Sequence, residues 1–213
     1  MKLKEALPIL KRIKNTSFSI LYSSQELSGI KIAKGNTGKL LENIIGLPPG
    51  NTLRDFEDGE LKTNKCNEHG VPLETMFISQ ISNHFDELLD PDLKFSNSWI
   101  YKKISRLVYV PVVKVDQNPE KWYFLDYKFI EIPLGSSLFQ QLENDFIQIK
   151  KKIAVDVSNG DKFIHTSSGK YIQIRTKDAK PYHPIYSGKL KREVSNKNFA
   201  FYFKKDFMRA IYP

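Results

Sequence analysis

Leu7, Leu10 and Ile13 recur at helical spacing among basic residues, so positions 3–14 predict a basic amphipathic helix. Ser23 followed by Glu26 has the spacing of a capping box and predicts a second, short helical turn. A clearer helix begins at Thr37, with Leu40, Leu41, Ile44 and Ile45 on one face. It stops at Gly46, with Pro48 and Pro49 beyond. The pattern then changes period. Residues 60–63, 75–81, 105–115 and 122–132 have the composition and alternation of strands. Helical spacing returns over 137–153 through Leu138, Leu142, Phe146, Ile149 and Ile153, and Lys150, Lys151 and Lys152 suit the negative end of that helix dipole. A hairpin is expected next, from 163–166 through a turn at Ser168-Gly169 into 170–177. The polar, basic stretch 180–195 reads as a loop or flexible arm, 199–203 as a strand and 204–211 as a closing helix. Strands and helices mix without regular alternation, which predicts an α/β or α+β class.

The composition changes this picture little. With 213 residues, 40% of them hydrophobic, the chain can bury one sizeable core or a core in two lobes. No stretch approaches the roughly 18 apolar residues of a membrane span, and lysines interrupt the apolar positions at the N-terminus as no signal peptide would allow. A cytoplasmic protein with no membrane partner is expected. Cys66 is the one cysteine, so neither an intrachain disulfide nor a cysteine metal cluster is expected. His69, His84, His165 and His183 show no metal spacing.

Charge changes the picture more. The formal net charge is +9, and its placement is one-sided: residues 161–213 hold twelve Lys or Arg against four Asp or Glu. Such a basic segment, here about 161–213, is the footprint of a polyanion binder.

The chemistry-bearing segment is Asp55-Phe-Glu-Asp-Gly-Glu60-Leu61-Lys62. Phosphodiester hydrolysis calls for a divalent metal on hard oxygen ligands, an activated water and a cation near the developing charge. If 60–62 is a strand, Glu60 and Lys62 share one face and Leu61 points into the core. Either Asp55 or Asp58 supplies the second carboxylate. The apolar stripes Phe77 with Ile81, and Tyr109 with Pro111 and Val113, read as core.

Two ordered blocks flank this segment: Lys34-Gly35-Asn-Thr-Gly-Lys-Leu-Leu-Glu42 before it and Gly70-Val-Pro-Leu-Glu-Thr-Met-Phe77 after it. They resemble the MutH family of mismatch-repair endonucleases and its type II restriction-enzyme relatives. The resemblance continues through Ile104-Ser-Arg-Leu-Val-Tyr-Val-Pro-Val112, Gly169-Lys-Tyr-Ile-Gln-Ile-Arg175-Thr-Lys177 and Phe201-Tyr202-Phe-Lys-Lys-Asp-Phe207, covering about residues 30–211.

The resemblance implies a single domain over 1–213 with a restriction-endonuclease-like α/β core, a mixed sheet flanked by helices, and two lobes around a DNA cleft. It implies catalytic roles for Glu42, Asp55, Glu60, Lys62 and Lys103, and a Mg2+ site built from Asp55, Glu60, the Leu61 carbonyl and Glu42. Lys34, Gly35, Arg175, Lys177 and Tyr202 fall where the family meets DNA. The chain departs from the family in the interval from the catalytic Asp to the Glu, which is longer in the family than the five positions from Asp55 to Glu60. Asp55 is favoured because five residues can turn a chain.

The expected activity is Mg2+-dependent, sequence-specific cleavage of double-stranded DNA, with GATC a candidate site. Because the chain ends soon after Phe207, the expectation leans to a restriction enzyme paired with a methyltransferase. The alternative is a mismatch-repair nickase activated by a MutL-type partner. An alternative of another class, a non-catalytic DNA-binding module of the same fold, is disfavoured because Glu42, Asp55, Glu60 and Lys62 are all retained.

Overall fold

A computed structural model describes residues 1–32, 36–48, 52–160 and 164–212. In chain order the elements are α1 (Leu3–Ile13), α2 (Phe18–Leu21), α3 (Ser24–Ile32), α4 (Asn36–Ile45), β1 (Glu60–Cys66), β2 (Met76–Gln80), α5 (Phe85–Leu88), α6 (Trp99–Ile104), β3 (Arg106–Val113), β4 (Tyr123–Phe124), β5 (Lys128–Glu131), α7 (Ser137–Ser158), β6 (Ser167–Ser168), β7 (Ile172–Thr176), β8 (Ile185–Ser187), β9 (Arg192–Ser195), β10 (Phe199–Phe203) and α8 (Lys205–Ile211). The chain divides into two compact units. One comprises Met1–Met76, Lys103–Glu131 and Met208–Pro213; the other comprises Phe77–Lys102 and Ile132–Phe207.

The first unit is built on a mixed sheet. β1 runs parallel to β3, with Glu60 beside Leu107 and Lys62 beside Tyr109, while β4 and β5 pair antiparallel to β3. Leu61, Val108, Val110 and Val112 alternate onto one face, where they join Leu3, Leu10 and Ile13 of α1 and Leu40, Leu41 and Ile45 of α4 in one core cluster. Alternation therefore delivers Glu60 and Lys62 to the opposite face, as the sequence predicts. Phe18 anchors the chain after α1, its N–H donating to the Trp122 carbonyl at 2.8 Å and its ring packing 4.8 Å from that of Phe124. The capping box is present: Ser23 Oγ accepts from the Glu26 N–H at 3.3 Å, and the Glu26 carboxylate accepts from the Ser23 N–H at 2.8 Å.

The second unit is built on an antiparallel sheet in the order β2-β10-β7-β6. Ile172 and Ile174 of β7 and Phe201 and Phe203 of β10 face inward, with Phe146 of α7 stacked near Phe201. Asp145 of α7 is buried against the start of β7. Its two oxygens accept the N–H groups of Lys170, Tyr171 and Ile172 at 2.9, 2.6 and 3.0 Å. A Cβ at Gly169 would fall 2.3 Å from that carboxylate carbon, so the approach depends on glycine.

Several expectations need correction. Residues 180–195 are not an arm without structure: β8 and β9 pair as an antiparallel hairpin. Asp86 holds this hairpin through the Ser187 hydroxyl and, at 3.0 Å, the Lys189 N–H; Arg192 donates to the Val157 carbonyl at 2.8 Å. Ser187 and Arg192 are thus tied to partners elsewhere in the same unit. The strand expected over 122–132 is two short strands, β4 and β5, which both pair antiparallel with β3 but in registers one residue apart. Lys103 lies in the last turn of α6, just before β3. Ile164 to Thr166 lie outside any strand, and Phe163 lies outside the described residues. No helix among the described residues is long and apolar enough to cross a membrane.

Candidate active site

The site grows from the turn that feeds β1. Phe56 is buried in the core cluster, and its N–H donates to the Gly59 carbonyl at 2.9 Å, closing a tight turn. Asp55, just before the turn, accepts the Leu61 N–H on Oδ2 at 2.8 Å. Its carboxyl is therefore fixed to the main chain beside Glu60.

Glu60 is 1% exposed. Its Oε1 receives two ammonium groups, Lys62 Nζ at 2.5 Å and Lys103 Nζ at 2.8 Å. Lys103 also donates to the Leu53 carbonyl at 2.6 Å. The second oxygen, Glu60 Oε2, is buried with no hydrogen-bond partner. Buried carboxylate oxygens are rarely left so, because desolvation without a partner costs a few kcal/mol or more. Burial, and next the nearby negative charge of Glu60, push the Asp55 carboxyl up to about 6, against the pull of Lys62, the Leu61 N–H and Lys103.

This arrangement fits a cation. Two carboxylates converge beside the main chain at Leu61, one with an oxygen unspent and the other disfavoured as an anion. Mg2+ is bound in this manner, by one or two carboxylates with the remaining positions left to waters and phosphate oxygens. Asp55, Glu60 and the Leu61 carbonyl are the oxygen donors that would hold it.

Asp55 and Asp58 differ in where their oxygens go. Both oxygens of Asp58 are engaged away from Glu60: Oδ1 accepts the Leu3 N–H at 2.8 Å and Oδ2 pairs with Arg106 at 2.8 Å. Burial works against its charge, but those two donors hold its carboxyl below the usual range. Glu42 is half-buried on α4, one turn beyond Gly38, and a Cβ at Gly38 would lie 3.9 Å from the Thr63 methyl of β1. The helix thus approaches the strand there. Even so, Glu42, Asp55 and Glu60 do not gather into a three-carboxylate group, and no cluster of three or more Asp, Glu, His or Cys forms a metal site among the described residues.

The DNA-contact residues implied by the resemblance form a second constellation, in the unit built on β7 and β10. Tyr202 points away from buried Phe201 and Phe203, as expected. The Arg175 guanidinium lies 5.6 Å from the Tyr202 ring centroid, and Lys177 Nζ lies 5.0 Å from that of Phe77. The Tyr202 and Phe77 rings meet edge-to-face at 5.7 Å. The order is a ladder: cation, ring, ring, cation. Lys34 and Gly35 lie outside the described residues.

Three participants were not singled out from the sequence. Phe77 was read as core with Ile81, yet only Ile81 is fully buried. Met76 and Ile78 take the inner face of β2, so alternation puts Phe77 on the outer face, and that signal was available. Arg106 and Asp145 had no such signal, because their partners are remote in sequence.

No family model matches the chain. Curated relatives do. The DNA mismatch repair protein MutH of Haemophilus ducreyi is 26% identical over 185 residues, 84% of this chain and 77% of that protein. MutH of Buchnera aphidicola is 28% identical over 189 residues, 84% of this chain and 80% of its own length. MutH of Histophilus somni is 26% identical over 190 residues, 85% and 80%. With the ordered blocks, these matches make the chain similar to MutH proteins over about 85% of its length and support a MutH-like assignment.

Proposed function

We propose that this protein is a Mg2+-dependent endonuclease of double-stranded DNA, cutting at a short specific sequence. The observation that carries the reading is the buried Glu60, held between Lys62 and Lys103 with one oxygen unspent beside Asp55. A purely structural ion pair would satisfy both oxygens. The same set argues against a non-catalytic DNA-binding module.

Mg2+ bound here supplies positive charge to the scissile phosphate and acidity to water. Asp55 and Glu60 bind it, with the Leu61 carbonyl as a third oxygen donor. Lys62, fixed by Glu60, orients the attacking water and offsets negative charge that builds on the phosphate. Lys103 holds Glu60 in place and offers its one remaining donor to phosphate. Arg175, Lys177 and Tyr202 give register and sequence reading on the DNA. Arginine suits guanine O6 and N7, and lysine suits phosphate.

The relatives are named for DNA mismatch repair, which favours a strand-nicking repair role with a MutL-type partner over restriction alongside a methyltransferase. The test is incubation of the full chain with supercoiled plasmid rich in GATC sites, at low salt, with Mg2+ or with EDTA. Nicked circles only with Mg2+ support the repair reading. Discrete linear fragments only with Mg2+ support restriction, and sequencing their ends gives the site. Tight binding without any cut would overturn the nuclease reading.

A further inference from the structure

The turn that carries Asp55 is gripped from two sides by residues of its own unit. On one side stands the start of α1: the Leu3 N–H donates to Asp58 Oδ1 at 2.8 Å, and the Glu57 N–H donates to the Met1 carbonyl at 3.2 Å. On the other stands the start of β3: Arg106 Nη1 donates to Asp58 Oδ2 at 2.8 Å. Arg106 is itself held, its Nε 3.0 Å from the Glu131 carboxylate and its guanidinium 5.6 Å from the Phe129 ring centroid. Gly59 is pressed between the same two walls. A Cβ there would fall 2.5 Å from a Leu3 methyl and 3.1 Å from the Arg106 carbonyl oxygen.

The chain geometry makes this grip consequential. Phe56 and Gly59 close the turn, so Asp55 and Glu60 leave it side by side, and Asp58 lies within it. Asp58 is the only side chain in the 56–59 turn that bonds both α1 and β3 among the described residues. The placement of Asp55 over the Leu61 N–H, and hence the spacing of the two carboxylates, depends on where that turn is held.

We propose that Asp58 and Arg106 are positioning residues for the metal site: a charged brace that ties the turn to α1 and β3 and so sets the Asp55–Glu60 pair for Mg2+. The inference rests on the nuclease reading above, and it assigns Asp58 a role other than ligand. Supporting partners of metal ligands commonly change affinity ten- to hundred-fold when removed, without touching the ion.

The test uses the full chain and Mn2+ as the probe, with uptake followed by loss of the free-ion electron paramagnetic resonance signal. Asp58→Ala should weaken Mn2+ binding about ten- to hundred-fold and raise the Mg2+ needed for half-maximal cleavage by a similar factor. Cleavage at saturating Mg2+ should stay close to wild type, as should DNA retention in EDTA. Asp58→Asn keeps an acceptor for the Leu3 N–H but loses the charge facing Arg106, and Arg106→Lys keeps the charge but loses the guanidinium fork; both should fall between wild type and Asp58→Ala. These two variants decide the matter if Asp58→Ala unfolds. Lower melting temperature with unchanged Mn2+ affinity in all three would overturn the brace and leave the nuclease reading standing. A wild-type chain that takes up no Mn2+ and cuts no DNA would overturn both.

Discussion

The turn-strand segment from Asp55 to Lys62 and the ladder of Arg175, Tyr202, Phe77 and Lys177 both concentrate charge, in opposite settings. In the first, Glu60 is buried and meets two lysines within 2.8 Å, and Asp55 is half-buried against the main chain. In the second, Arg175 and Lys177 are exposed and lie over aromatic faces. A low-dielectric setting makes each charge strong and each geometric error costly, which suits chemistry on a phosphate. A solvated setting weakens single contacts through screening, but aromatic support keeps long side chains extended toward a polyanion. If this contrast is right, substitutions in the two regions should fail in different ways.

The largest expected effect is at Lys62. Lys62→Ala should lower the cleavage rate by about 10²–10³ or more, as for other groups that offset transition-state charge. Retention of DNA in EDTA should stay close to wild type, because Lys62 is spent on Glu60. Cleavage at the wild-type rate would break the contrast at its centre. Next comes Arg175. Arg175→Ala should reduce discrimination between the cleaved sequence and a scrambled one by about 1–3 kcal/mol, read by competition binding. A loss equal for both sequences would reassign it to phosphate contact.

Asp55 sharpens the comparison through stability. Its carboxyl is raised from an ordinary 3.8 to about 6, by burial first and the charge of Glu60 second. Between those values the folded state binds the proton and the unfolded state does not. The stabilising contribution is therefore complete below about pH 4 and is lost as pH rises through about 6. Asp55→Asn in EDTA should consequently unfold at higher denaturant than wild type at pH 7, by about 1–3 kcal/mol, with the gap closing toward pH 4. An unchanged or lower stability at pH 7 would mean the carboxylate is not strained as placed. The smallest effect is expected at Lys177. Lys177→Ala should flatten the slope of log affinity against log salt by about one, with little change in sequence preference.

Several elements of both units were largely legible. The helix beginning near Thr37, the strand at Glu60 and the helix from Ser137 carry periodic apolar faces, and each formed where that period predicts. The closing strand at Phe199 did as well. The hairpin of β8 and β9 was not legible. Its residues are polar and basic, and what orders them is Asp86 and the Val157 carbonyl, about a hundred and a few tens of positions away in sequence. Phe77 was misread for a different reason: an aromatic residue in a strand was taken as core, although its neighbours Met76 and Ile78 already occupied the inner face.

Local chemistry settled much from the sequence alone. Alternation places Glu60 and Lys62 on one face whatever the rest of the chain does, and the ordered blocks carry the family resemblance. Tertiary structure decided what alternation cannot reach. Lys103 meets Glu60 only because α6 brings it back to β1, and the second oxygen of Glu60 is left unspent only by the packing around it. Asp55 and Asp58 are alike as residue types, three positions apart. Asp58 is taken by the Leu3 N–H and Arg106, while Asp55 is left beside Glu60, because hydrogen-bond partners are assigned by distance in space rather than along the chain.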